Sequence, residues 1–419
     1  MNDIHKFRLS KYPLFTLLIS YHWIEVINPF ISHAFQILPK INNAHIAIIL
    51  AWIFLPIQLK NISLPKSKIA IILPFLIIIS IKVPYVEVRQ MNTLITVASE
   101  WIYFLFYYPL YIKLLSTRSG RENFFLSASI STIIACTIYL ISLGGIRLFE
   151  FISSNILSQL MCFSVPIAAR GVIFKSGSVK YINILALLLI IFSVIFSGGR
   201  SMLLVSIVQI SFFSIYFLSF QKVIKQASLF FLLLFSFSFF INVDESQIDF
   251  RNKKYNRIIN WKDDGSIWLR IALYSKANDI FLNNFLLGAG WGPRTLSGHY
   301  GEEIEFTNFR SVNTGTKGLH STALRIISGT GLLGIISFLF FFIKNLRYLY
   351  QLKFRFLKKN PDFFIFLSIA IGLIMNALQN TTGLFPFMIL SSFILSAHIY
   401  VERLIRNYKV YLFRNNIKH

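Results

Sequence analysis

The chain has 419 residues, of which 55% are hydrophobic and only 14% charged, with 44 Phe among them and a mean hydropathy of +0.63. Soluble proteins carry about 25% charged residues, so a soluble globular core is excluded. The net charge of +24 would point to nucleic acid in a soluble protein, but no aromatic–basic groove or folded basic domain accompanies it, and no nucleic-acid partner is expected.

Runs of about 20 apolar residues predict an all-α, polytopic integral membrane protein with about twelve spans. They fall at 13–32, 44–59, 68–84, 93–112, 124–143, 151–169, 181–197, 201–220, 227–243, 319–343, 363–380 and 384–401. The second and third are short and carry Pro56 and Pro74, which a bundle tolerates where neighbouring helices satisfy the freed backbone groups. The first apolar segment lacks a small-residue cleavage site and more spans follow it, so it is expected to stay as an uncleaved anchor. Cys136 and Cys162 fall inside spans, which argues for packing rather than a disulfide framework or thiolate metal site.

Sorting the charge by loop accounts for its excess. A cytoplasmic N-terminus puts Lys6, Arg8 and Lys11 inside, then Lys60, Lys66 and Lys68, then Lys113, Arg118 and Arg121. Arg170, Lys175, Lys180, Lys222 and Lys225 follow on that side, with further basic residues from Lys344 to Lys359 and from Arg403 to Lys418. The short outer loops hold only Lys40, Lys82, Arg89, Arg147 and Arg200. This is the positive-inside asymmetry, with both termini cytoplasmic, and the basic residues are expected to meet anionic membrane lipids.

One segment breaks the rhythm of short loops. The chain divides into spans 1–9 over 1–243, a polar outer loop over 244–318, spans 10–12 over 319–402 and a basic tail over 403–419. The loop mixes Lys and Arg with Asp and Glu in near balance, the pattern of a folded region rather than a polybasic tail. A helix is expected from Ser266, a potential N-cap, to Phe285, and the glycine-rich run Gly288-Ala289-Gly290-Trp291-Gly292-Pro293 must turn. A loop of this length in a compact membrane protein is usually functional.

Three segments facing the outer side carry candidate chemistry. Ser197-Gly198-Gly199-Arg200-Ser201 is a tight helix–helix turn in its bland reading. In its functional one, a guanidinium beside the free N–H groups of the next helix makes a phosphate-binding site. Trp268-Leu269-Arg270, followed by Leu286-Leu287-Gly288-Ala289-Gly290, is either a turn or a place where backbone approaches a diphosphate or a sugar. His320-Ser321-Thr322-Ala323-Leu324-Arg325, leading into Gly331-Leu332-Leu333-Gly334, places a proton-accepting side chain where the loop re-enters the membrane. Glu25 and Glu100, with His22 near the first, are acids within spans and functional candidates on that ground, or interface residues near span ends. The loop acids Asp263, Asp264, Glu302, Glu303 and Glu305 have no spacing that specifies a metal. No metal and no cofactor is expected.

Together these three segments resemble the O-antigen polymerase and O-antigen ligase superfamily. They match a Ser-x-x-Arg turn, here Ser197 to Arg200, and a second loop Arg, Arg270, ahead of a Leu-Leu-Gly-x-Gly run. The third match is a His-Asn/Ser-x-x-Leu run followed by Gly-Leu-Leu-Gly. The resemblance covers about 180 to 345, with Ser321 where Asn is frequent. It implies an inverting glycosyltransferase of the bacterial inner membrane with its active site facing the periplasm. The donor is an undecaprenyl-diphosphate-linked oligosaccharide. Arg200 and Arg270 then hold the diphosphate, and His320 orients or deprotonates the acceptor hydroxyl. Ser201, Gly290 and Ser321 complete the substrate contacts. An O-antigen polymerase passes the glycan to another lipid-linked repeat unit, with a chain-length regulator as a possible protein partner. An O-antigen ligase passes it to the lipid A–core oligosaccharide. The abundance of Ile, Phe, Lys and Asn, usual in products of A+T-rich sugar loci, favours the polymerase. A lipid-linked-oligosaccharide flippase is the alternative of another class, but it needs a cationic central cavity and no large outer loop. Reporter fusions after Lys60, Arg118, Lys175, Lys222 and Lys358 are expected to read as cytoplasmic and one near Asn260 as periplasmic. A cytoplasmic signal at Asn260 would remove Arg200 and His320 from the donor's side.

Overall fold

The computed structural model describes residues 52, 62–64, 66–86, 90–143, 154–197, 200–217, 265–291, 303–305, 311–313, 321–355, 361–379 and 384–416. The expected spans at 13–32 and 227–243, that at 44–59 apart from Trp52, and His22, Glu25, Asp263, Asp264, Glu302 and His320 lie outside the described residues.

The described chain is helical almost throughout. Its helices are α1 (Lys66–Ile69), α2 (Leu73–Ile81), α3 (Gln90–Ile102), α4 (Tyr108–Leu115), α5 (Arg118–Leu143), α6 (Ser154–Phe174), α7 (Gly177–Ser197), α8 (Arg200–Phe217) and α9 (Gly265–Asn283). Strands β1 (Glu303–Glu305) and β2 (Ser311–Asn313) come next, then α10 (Thr322–Arg355), α11 (Pro361–Gln379) and α12 (Phe385–Asn416). Among the described residues, five stretches are long and apolar enough to cross a membrane: Lys66–Tyr85, Arg118–Leu140, Gly177–Val194, Thr322–Leu352 and Phe385–Arg403. Leu160–Phe174, Leu203–Phe212 and Asp362–Leu378 are shorter apolar helices. All of these coincide with expected spans.

Prolines shape the first spans in ways that periodicity does not show. Pro74 sits in the first turn of α2, where its missing N–H costs no helical bond, and a 3-10 turn over Ala70–Ile72 leads into it. Pro109 likewise opens α4. Within a continuous helix its ring would press on the carbonyl of Leu105, and the five residues Tyr103–Tyr107 adopt the wider π form just before it. The loop helix α9 begins at Gly265, so Ser266 is a helical residue rather than the expected N-cap. A boundary shift of one residue is ordinary where the end of a helix frays. The loop also contains an unforeseen β-ribbon, in which β1 and β2 pair antiparallel with Ile304 opposite Val312. Both triplets, Glu-Ile-Glu and Ser-Val-Asn, alternate with period two.

The helices associate through small residues and buried hydrogen bonds, as expected where lipid removes most of the hydrophobic drive between helices. Helix α6 packs against α5, α7, α8 and α11. Gln209 of α8 donates to the carbonyls of Cys162 on α6 and Ser368 on α11, both at 2.9 Å. Thr132 donates to Ser164 and Ser129 to the Asn183 side chain, each at 2.7 Å. Cys136 and Cys162 are both buried in this packing. Helix α12 is the inner helix of the bundle, and every residue from Leu384 to Ile399 is buried. Its Ser391 bonds to Tyr108 of α4 and to Asn345 of α10, both at 2.6 Å. Helices α10 and α12 continue to Arg355 and Asn416, well past the expected span ends.

One end of the bundle is stitched by ions. Arg170 forms a paired contact with Glu122 at 2.7 and 3.0 Å, and Lys175 reaches the same carboxylate at 2.6 Å. Arg121 bonds to Asp362 at 3.1 Å and lies over the Tyr400 ring at 4.3 Å. These groups join α5, α6, α11 and α12 at one level. Arg121, Arg170 and Lys175 are among the residues that the loop-by-loop charge sorting assigns to one face. Glu122→Gln is expected to destabilise the protein by on the order of 2 kcal/mol, since it loosens a charged, largely shielded contact. Lys68→Ala, which removes an exposed pair with Glu402, should change stability by less than about 1 kcal/mol. Thermal unfolding in detergent followed by size-exclusion chromatography checks both, and equal effects would contradict this reading.

Candidate functional site

The opposite end of the bundle is organised around a break in α10. Gly331 has φ 63° and ψ −164°, a region essentially restricted to glycine, so Thr322–Thr330 and the long segment beyond it are separate helical pieces. An interruption at membrane depth exposes backbone groups that lipid cannot satisfy. The turn that follows α9 satisfies them. Ala289 and Gly290 donate their N–H groups to the carbonyls of Ser328 and Gly329, both at 2.9 Å. In return Leu332 and Leu333 donate to the carbonyls of Phe285 and Leu286, at 2.8 and 3.2 Å. The two glycine-rich motifs of the sequence are therefore the two halves of one backbone clasp.

Two glycines make this approach possible. Gly288 has φ 68°, and a Cβ there would lie 2.3 Å from the Gly329 carbonyl carbon and the Thr330 nitrogen. A Cβ on Gly331 would lie 2.6 Å from the Gly288 nitrogen. Leu273, Ala277, Ile280 and Ala289 form a small buried cluster with Leu324 packed against it, which seats α9 on the start of α10. Tyr274 of α9 donates to the Leu378 carbonyl at 3.2 Å, tying α9 to the end of α11 as well.

Beneath the clasp lies a buried charged group. Glu100 of α3 is 3% exposed, as is Arg325 of α10, and Trp291 is wholly buried. Trp291 donates its indole N–H to Glu100 Oε1 at 3.4 Å, and the same oxygen accepts the Leu384 N–H at 3.1 Å, just before α12. The Arg325 guanidinium stacks on the Trp291 ring, 4.0 Å from its centroid, and Phe75 meets that ring edge-on at 5.5 Å. Among the described residues, Glu100 Oε2 and Arg325 Nε and Nη2 are buried with no hydrogen-bond partner.

Among the expected site residues, Gly290 lies in the clasp turn and Ser321 at the head of α10. Arg200 is the first residue of α8, followed by Ser201. It sits beyond the end of α7, whose start adjoins the ion-stitched end at Lys175. Arg270 lies within α9, the helix that carries the clasp turn. His320 lies outside the described residues, but its neighbour Ser321 is buried at the head of α10. The Ser321 hydroxyl accepts the Leu324 N–H at 3.3 Å and donates to the Ala377 carbonyl at 3.1 Å. Gly290, at φ 124°, uses its N–H in the clasp. Sequence reading had named Glu100 as an intramembrane acid but gave Arg325 and Trp291 no role of their own. The available signal was an Arg in one apolar segment and a Glu in another, a pairing that membrane burial favours.

Residues 185–339 match a family model described as O-antigen ligase. The matched segment spans the start of α8, α9, the clasp and the His320 run. No curated protein matches the chain. Gly288→Ala and Gly331→Ala are each expected to cost at least about 1–2 kcal/mol from the left-handed backbone alone, with the steric contacts adding to it. The check is folded yield and thermal midpoint in detergent. A native midpoint for both variants would contradict the clasp.

Proposed function

Because residues 185–339 match a family model described as O-antigen ligase, we propose that the protein is a polymerase that transfers a glycan from an undecaprenyl-diphosphate carrier to another lipid-linked repeat unit at the periplasmic face of the bacterial inner membrane. The match to residues 185–339 carries this reading, because it contains all three motif segments, and it supports a membrane glycan ligase or polymerase before any choice between them. The polymerase is preferred over the ligase on the chain's Ile, Phe, Lys and Asn content.

The proposed chemistry follows from what such a transfer demands. An acceptor hydroxyl attacks the anomeric carbon, the bond to the diphosphate oxygen breaks, and configuration inverts. Negative charge grows on the leaving diphosphate, so fixed positive groups aimed at it supply the largest electrostatic contribution. Arg200 and Arg270 fill that role in this proposal, because a planar guanidinium matches paired phosphate oxygens and an ammonium does not. His320 directs the acceptor hydroxyl and takes its proton. Ser201 adjoins Arg200, while Gly290 and Ser321 shape the site from the two sides of the clasp.

The test uses purified variants in liposomes containing a lipid-linked glycan, with glycan transfer and donor consumption both followed. Arg200→Lys and Arg270→Lys are expected to be impaired despite keeping their charge, and the Ala variants more so. His320→Ala should lower transfer by roughly 10²-fold if it acts as general base. Full activity of both Lys variants would defeat the diphosphate assignment. Near-native transfer by His320→Ala would reduce that residue to a surface histidine.

A further inference from the structure

Arg200, Arg270 and His320 all fall within residues 185–339, yet a buried carboxylate bonded at this end lies far outside that segment. Glu100 belongs to α3, which carries none of the three. Its Oε1 nonetheless accepts from Trp291 at the end of the clasp turn and from the backbone at the start of α12. Across the indole stands Arg325, stacked at 4.0 Å. The unit is thus a carboxylate, an aromatic ring and a guanidinium in sequence, contributed by α3, the clasp turn and the head of α10.

The physical consequence concerns register. Arg270 rides on α9, whose C-terminal turn ends in Trp291. His320 immediately precedes the short helical piece that bears Arg325. Trp291 and Arg325, stacked on each other, thus join the two arms beneath the clasp, and Glu100 is bonded to the first and acts on the second through its charge. A buried cation without a counter-charge is costly, and Glu100 is the acidic group whose charge acts on Arg325. We propose that Glu100 is a positioning residue for the glycan-transfer site: through Trp291 and Arg325 it fixes the register between the arm bearing Arg270 and the membrane re-entry bearing His320. This rests on the transferase reading for its catalytic consequence, and on the clasp alone for its structural one.

Glu100→Gln removes the charge while retaining an amide oxygen for Trp291 and Leu384. Arg325→Met keeps an unbranched side chain against the indole, and the double variant removes both charges. In native-state hydrogen exchange of the full-length protein, the clasp amides of Ala289, Gly290, Leu332 and Leu333 should exchange about tenfold faster in Glu100→Gln than in the native protein. In liposomes holding an undecaprenyl-diphosphate-linked glycan, kcat should fall about 10- to 100-fold, with KM for the donor within roughly threefold. The double variant should recover much of the clasp protection and of kcat, since the stranded charge is gone.

Unchanged clasp exchange and unchanged kcat in Glu100→Gln would overturn the proposal. So would a double variant no better protected than Glu100→Gln. If Glu100→Gln does not accumulate, accumulation of the double variant supports the charge pairing, and its failure to accumulate overturns it. A native protein with a protected clasp that transfers no lipid-linked glycan would overturn the transferase reading instead, and exchange would then decide the role of Glu100.

Discussion

A helix interrupted at membrane depth must find partners for its freed backbone groups, and this requirement organises the end of the bundle where the turn after α9 meets the head of α10. Gly331 breaks α10, and the turn after α9 supplies reciprocal backbone bonds on both sides of the break. The break and the turn depend on each other, since neither backbone could be left bare in lipid. The glycine runs that look like independent motifs in the sequence are thus one structure. The need for close approach fixes Gly288 and Gly331, which lie back to back with no room for a side chain.

Charge is used differently at the two ends. At the ion-stitched end, Arg121, Arg170 and Lys175 are matched by Glu122 and Asp362 across several helices. Such contacts set the level at which helices meet and place basic groups at one boundary of the bundle. At the clasp end the buried charges are fewer and less completely bonded. Glu100 bonds to Trp291 and Arg325 stacks on the same ring, and both keep polar atoms without a hydrogen-bond partner among the described residues, a costlier arrangement. Groups retained at such cost within a membrane are functional candidates by default.

Much of the architecture was legible because lipid imposes strong and local demands. Apolar runs located the five stretches that are long and apolar enough to cross a membrane among the described residues, and three of the basic residues sorted to one face, Arg121, Arg170 and Lys175, meet acids at one level of the bundle. The order of the three motifs led to the superfamily supported by the match to residues 185–339. What stayed hidden depended on contacts remote in sequence. That Gly288 meets Gly331, or that Glu100 receives Trp291 from 191 residues away, leaves no trace in any local window. The π segment ahead of Pro109 and the start of α9 at Gly265 turned on backbone details finer than periodicity resolves. The β-ribbon at 303–313 escaped notice because its strands are three residues each, too short for an alternating pattern to stand out.

The proposed function is that of a membrane glycan transferase whose donor diphosphate is held by Arg200 and Arg270. The polymerase and the ligase share that donor and differ in the acceptor, and so in what the cell accumulates when the protein is lost. The lipopolysaccharide banding pattern of a strain lacking the gene tests this most directly. The expected result is core bearing a single repeat unit, restored to a full ladder by the native gene but not by His320→Ala. Bare core without any repeat unit would contradict the polymerase assignment in favour of the ligase, and an unchanged ladder would contradict both.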